Sequence, residues 1–221
     1  YSLRPDYPFL FMADNDKQKD EFIFSINCDG AKTQAYGNTT FFVHCAAGGD
    51  FTHYGVGGGW FGYRATKGLA DKFSDLTGHT DKRALFTTPS FGTSSAQLVI
   101  NDVANFNEGM HVAKYRNVRS DGGRISDYIN KEFSDVDFPV FRLSEMYLIY
   151  AESVLRNGAG GSTATALTYI NNIRNRAGAT IITPGQLDLN FILDERAREL
   201  YWEGHRRTDL KKNKKLTTGT Y

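Results

Sequence analysis

Apolar residues recur at three-and-four spacing in the stretch from Phe141 to Gly178, where Leu143, Tyr147, Tyr150, Ala151 and Val154 share one helical face. Pro139 stands just before this run and Gly158 just after it, residues that commonly open and close a helix. A short Gly-Ser link follows, in which the hydroxyl of Ser162 or Thr163 can cap a second helix. Leu167, Ile170, Ile173 and Ala177 line that helix, and Gly178 ends it. The pattern predicts an antiparallel helical hairpin over 141–178. One hairpin cannot cover its own apolar face, so it must stack on neighbours, as the units of tetratricopeptide-type solenoids do.

A third helix is expected from about Leu189 to Leu210, with Leu189, Leu193, Arg196, Leu200 and Gly204 on one face. Its charges are dense, and Glu195 is spaced to pair with Arg198, as Glu203 is with Arg206 or Arg207. Spacing alone describes a solvated face whose exposed pairs contribute ~0.3–0.5 kcal/mol each.

Elsewhere the periodicity is shorter. Glu21–Asn27 alternates Phe22, Phe24 and Ile26 with polar neighbours and predicts a strand; Phe41–His44 predicts a second. Seven of the fifteen residues from Gly48 to Gly62 are glycine, too many for regular structure to offset chain entropy. Arg64–Phe73 predicts a short helix with Ala65, Leu69, Ala70 and Phe73 inward. Strands are expected at Gln97–Asn101 and Met110–Tyr115, and a turn at Ser120–Gly123. With no linker or repeat beyond the helical pair, residues 1–221 read as a single unit.

The length permits one domain with a real core. Sixteen Phe, twelve Tyr and twenty-two Gly favour a loop-rich protein with aromatic surfaces over a plain helical bundle. A net charge of +1 gives no nucleic-acid footprint, and the basic run Lys211–Lys215 reads as a solvated helix end. No run approaches the ~20 apolar residues of a membrane helix. Tyr1–Pro5 lacks the apolar centre of a signal peptide. Cys28 and Cys45 are too few for a disulfide framework and read as free, partly buried thiols.

The glycine-rich segment lacks the spacing of a phosphate-binding loop, but it carries Phe51, His53, Tyr54, Trp60, Phe61 and Tyr63. Rings lifted by sharp turns can lie against the apolar C–H face of a pyranose while its hydroxyls stay wet. The alternative is that they fill a core beneath a loop. Asp14, Asp16 and Gln18 set oxygens at alternate loop positions, suited to a hard cation such as Ca²⁺, against the alternative of a solvated turn. The five histidines show no metal-ligand spacing. Gly92–Ala96 comes near a nucleophile elbow but ends in Ala where Gly is required. A glycosidase needs two carboxylates ~5–9.5 Å apart. Among twenty-five acidic residues, spacing neither selects nor excludes such a pair.

Three stretches, RLSEMYLIYAES, ALTYINNIRNRAG and LDERARELYWEGHRRTDLKK, resemble the SusD/RagB family of cell-surface glycan-binding lipoproteins. The last carries the family-like signature at Glu195, Arg196, Glu199, Leu200, Glu203, Gly204, Arg206, Asp209 and Leu210, with fainter matches at Trp60–Phe73 and His111–Asn117. The resemblance runs from about residue 9 onward and matches the second half of the family, so the chain reads as a C-terminal portion of a longer protein. It implies a mainly α fold, a tetratricopeptide-like α-α superhelix with long irregular loops and minor β-structure. It marks the charges of the third helix as structural.

The implied function is non-catalytic binding of starch or a related α-glucan at the outer membrane, for delivery to a SusC-like TonB-dependent transporter. Tyr36 and Trp60 match, by local context and separation, aromatics that follow the curve of an α-glucan in the starch-binding members, and Asn38 would add a polar contact. No cofactor is required. Some relatives hold a calcium ion, here placed on Asp14, Asp16 and Gln18 with help from Asp137. Family members carry an N-terminal lipidated Cys, a segment not present in these residues, so membrane attachment would lie outside this chain. Another polysaccharide, a helical scaffold for a peptide or protein partner, and a hydrolase stand as the alternatives.

Overall fold

The expected hairpin is present, with Ser162 and Gly178 bounding its second helix as named; its first helix runs from Leu143 to Leu155, and Pro139 lies in the strand before it. The computed structural model describes residues 1–17, 20–48, 51–87, 98–123 and 132–217. In chain order its elements are β1 (Phe22–Ile26), α1 (Thr39–Ala46), α2 (Phe51–Tyr54), β2 (Arg64–Ala65), α3 (Lys67–Ala70) and β3 (Phe86–Thr87). There follow β4 (Met110–Val112), β5 (Phe138–Arg142), α4 (Leu143–Leu155), α5 (Thr163–Ala177), α6 (Leu189–Leu200) and α7 (Arg206–Lys212). Ser162 caps α5 by accepting from the Thr165 amide at 3.1 Å. Gly178 closes it at φ 73°, a left-handed turn that favours glycine. Asp188 caps α6 through the Phe191 amide at 2.7 Å.

Helix α6 packs on the α4–α5 pair, so the hairpin finds the neighbour it needs. Leu148, Ala151, Ala166, Ile170, Ile173, Ile192 and Leu200 are sealed between the three helices. Two further cores lie beneath the loops. One gathers Tyr7, Leu10, Phe11, Val43, Tyr54 and Tyr115; the other gathers Ala65, Phe73, Met110, Val112 and Tyr201, and Trp202 touches both. The β-structure is slight: β1 pairs antiparallel with β5, and β4 lies between β2 and β3. No helix among the described residues is long and apolar enough to cross a membrane.

Several expectations are corrected. Phe41–His44 is not a strand but part of α1, because Asn38 caps a helix there that a four-residue window is too short to reveal. Strand β1 buries Phe22, whereas Phe24 and Ile26 are exposed, since register shifts on either side of Phe24 break the alternation. Arg64–Phe73 divides into β2 and the single turn α3, because Arg64 and Ala65 pair with His111 and Met110. The glycine-rich segment contains the short helix α2. Of the strand expected at Gln97–Asn101, residue 97 lies outside the described residues, as does Gly92–Ala96, and 98–101 form no strand. Both cysteines are free and buried.

The helix expected over 189–210 ends at Leu200, where a bend with Trp202 at φ 61° and Gly204 at φ 84° separates α6 from α7. Its charged face is not solvated. Glu195, Glu199 and Glu203 are buried and meet cations from other elements. Arg142 lies 2.5 Å from Glu199, 2.7 Å from Glu203 and 3.0 Å from Glu21. Arg83 lies 2.7 Å from Asp81 and 2.8 Å from Glu195, and Arg176 bridges Glu21 and Glu199. Glu195 keeps the expected pair with Arg198 at 2.6 Å and adds Arg174 at 2.8 Å. Glu203 turns to Lys114 and Arg142 instead of Arg206 or Arg207, because the bend points it inward. Charges this deep persist only when paired, since desolvation costs several kcal/mol per ion.

Burial alone would raise the Glu195 carboxyl, but Arg83, Arg198 and Arg174 outweigh it and bring its pKa down to about 2. Glu199 and Glu203 are lowered in the same way, against their own burial, by the arginines and Lys114 around them. Folded values below the ordinary 4.5 mean that this stabilisation is complete above about pH 4.5 and is lost as the pH falls towards 2. Urea midpoints should therefore drop clearly between about pH 6 and pH 3. Equal midpoints at the two pH values would show that the network contributes nothing.

Candidate functional site

Helix α1 leaves its last carbonyls without partners within the helix, and the glycine-rich loop supplies them. The Trp60 amide donates to the His44 carbonyl at 2.8 Å and the Tyr63 amide to the Cys45 carbonyl at 3.0 Å. Gly59 allows this approach, because a Cβ there would sit 2.1 Å from the Ala47 carbonyl oxygen. Between the two anchors Phe61 turns the backbone at φ 60°. Backbone satisfaction thus fixes the loop while the Trp60 ring stands outward.

Tyr36 comes from the loop before α1. Its ring packs on Phe133 at 5.2 Å, and its hydroxyl donates to Glu132. That contact raises the phenol pKa, so the group stays protonated and remains a donor. The two rings predicted from the sequence lie together: Tyr36 and Trp60 have centroids 6.1 Å apart, planes inclined at 50°, and exposures of 50% and 45%.

His44 joins the two supports. Its ring stacks on Trp60 at 5.2 Å. One ring nitrogen lies 3.0 Å from the Gly58 carbonyl and the other 2.7 Å from the Glu132 carbonyl. Sequence reasoning missed His44, Glu132 and Phe133, because nothing in their local spacing marks residues that meet only in three dimensions.

Asn38, expected to add a polar sugar contact, is engaged within the chain. Its side-chain oxygen accepts from the Thr40 amide at 2.9 Å and its amide donates to Thr33 at 3.2 Å. It serves as the cap of α1 and sets the helix that carries Phe41 and His44.

Of the residues expected to bind a metal, Asp14, Asp16 and Asp137 form no common cluster among the described residues. Both carboxylate oxygens of Asp14 accept from Ser120, at 2.7 Å and 2.8 Å. Gln18 lies outside the described residues. Asn15, not counted among the candidates, tethers this loop to Asp137 through two backbone contacts of 2.8 Å. Asp16 and Asp137 do share one cavity of 420 Å³ beside β1. Burial, and then the like charge of Asp16, push the Asp137 carboxyl upward, the electrostatic state a cation would relieve. Among the described residues no cluster of three or more His, Cys, Asp or Glu converges on a metal position.

Residues 86–221, more than half of the chain, match the model of the SusD family, and the chain belongs to that family. The starch-binding protein SusD of Bacteroides thetaiotaomicron is 31% identical across the whole of this chain and 46% of its own length. Surface glycan-binding protein A of the same organism, solved in complex with laminarihexaose, superposes with a TM-score of 0.71 at 22% identity, over 100% of this chain and 48% of that one. Surface glycan-binding protein A of Bacteroides fluxus gives a TM-score of 0.67 at 20% identity, over 99% of this chain and 45% of that one. The chain therefore spans about half the length of these relatives. The shared fold is the helical superhelix expected from the sequence.

Replacing Asn38 by Ala should lower stability by about 1 kcal/mol through loss of the α1 cap. A thermal or urea midpoint unchanged in Asn38→Ala would contradict the capping role.

Proposed function

We propose that this chain contributes a glycan-binding surface centred on Tyr36 and Trp60 and that it binds without cleaving. The observation that carries the reading is the pair of half-exposed rings 6.1 Å apart and inclined at 50°. A flat, ribbon-like glycan would meet one of these faces and lift away from the other. A coiled glucan changes the direction of its sugar faces from unit to unit and can follow both. The names of two relatives support this choice, one a starch-binding protein and the other solved with laminarihexaose, since both glucans are curved. Starch or a related α-glucan is the first candidate.

Family membership supports the remainder of the proposal: a surface-exposed protein of the outer membrane, anchored by lipid outside this chain, that hands oligosaccharide to a SusC-like TonB-dependent transporter. Each ring contact is weak, so affinity should grow with the number of sugars engaged.

Affinity electrophoresis of the full-length protein tests the reading, in gels containing starch, laminarin or a soluble cellulose derivative, with a reducing-sugar assay alongside. Retardation by a curved glucan, no sugar release, and at least about tenfold weaker binding in Trp60→Ala are expected. Release of reducing sugar would indicate a hydrolase, and indifference to every glycan would favour a peptide-binding scaffold.

A structural calcium belongs to the same proposal in reduced form, held by Asp16 and Asp137 without Asp14. Added Ca²⁺ should then raise the melting temperature of the wild type and leave Asp137→Asn unmoved. An unshifted wild type would remove the ion from this site.

A further inference from the structure

We propose that the glycan surface continues beyond Trp60 across Phe41 to Tyr63, and that these two rings set the length of glycan the protein prefers. The inference rests on the glycan reading of Tyr36 and Trp60 and extends it to residues that the family resemblance did not name.

The geometry is continuous. Trp60 and Phe41 have centroids 6.1 Å apart with planes at 60°, and Phe41 and Tyr63 follow at 5.8 Å and 71°. Both steps resemble the one from Tyr36 to Trp60, so the surface keeps changing direction along the row. Phe41 is 40% exposed and Tyr63 48% exposed. Single exposed rings are ordinary on protein surfaces, but four each touching the next form an apolar patch of the kind that marks a binding site.

The row is also held rigid from below. Phe41 sits in the first turn of α1, and its other neighbour, Phe42, stacks on Tyr115 at 5.1 Å within the core. The Tyr63 amide is fixed on the Cys45 carbonyl, and its ring rests edgewise on Trp202 at 5.0 Å. One side of Tyr63 is therefore occupied by Trp202, and the ring keeps nearly half its surface in solvent. Rings positioned in this way lose little conformational freedom when a sugar lies against them. A short oligosaccharide would be satisfied by Tyr36 and Trp60. A longer one would reach Phe41 and Tyr63 and gain contacts the short one cannot make.

Calorimetric titration of the full-length protein with two ladders, maltotriose to maltooctaose and laminaritriose to laminarihexaose, tests the extension. Wild type should tighten with length. Tyr63→Ala and Phe41→Ala should bind the shortest sugar within about twofold of wild type and lose about tenfold at the longest, while Tyr63→Phe keeps the gain. Phe41→Leu, which retains apolar volume in α1, should lose the gain as Phe41→Ala does, and its melting temperature checks folding.

If both alanine variants follow the wild-type curve while Trp60→Ala loses binding, the extension is wrong and the central reading stands. A uniform loss at every length in Tyr63→Ala would mean that Tyr63 only supports Trp202, which also overturns the extension. Wild-type indifference to both ladders, or full binding by Trp60→Ala, would sink the central reading and the extension together.

Discussion

A buried ion network in which Arg83, Arg142, Arg176 and Lys114 face Glu21, Glu195, Glu199 and Glu203 ties β1, β5, α5 and α6 to one another. Glu21 immediately precedes β1, Arg142 ends β5, Arg176 lies near the end of α5, and the remaining carboxylates come from α6 and the bend after it. Removing one partner from such a group leaves a charge in an apolar interior, at about 3–5 kcal/mol. The elements cannot slide past one another without paying that penalty.

The network reaches the candidate glycan surface through a short path. Lys114 donates to the Tyr201 carbonyl at 2.7 Å and meets Glu203 at 2.5 Å, which pins both sides of the bend. Trp202, held there in a left-handed conformation, lies under Phe42 and Tyr63. Helix α1 completes the support, because its C-terminal carbonyls hold the loop that presents Trp60. Recognition by flat rings needs this stiffness. The contacts are individually weak, and a mobile ring would give back in ordering entropy much of what it gains in burial.

The parts of this arrangement legible in the sequence are those set by neighbours along the chain. Ser162, Gly178 and the apolar spacing between them define α5 without help from elsewhere, and the structure places the helix accordingly. The glycines of residues 48–62 predict an irregular segment, though neither the short helix α2 within it nor the helix carbonyls it satisfies. What stayed hidden depends on distant partners. Charge spacing on α6 suggested a wet surface because Arg83, Arg142 and Arg176, which make the carboxylates buriable, lie on other elements. The capping role of Asn38 needs α1 behind it, and the short apolar run after it did not mark that helix. The Ser120 contacts of Asp14 are equally invisible in the chain order, since the two residues meet only in the fold. The nearness of Tyr36 and Trp60 came from family resemblance, since no local spacing brings them together.

A crystal structure of the full-length protein with a bound curved oligosaccharide, such as maltohexaose or laminarihexaose, tests the glycan assignment most directly. The expected result is successive pyranose rings lying against the faces of Tyr36 and Trp60, with both side chains as they stand in the free protein. Sugar density at another site, with Tyr36 and Trp60 left bare, would contradict it.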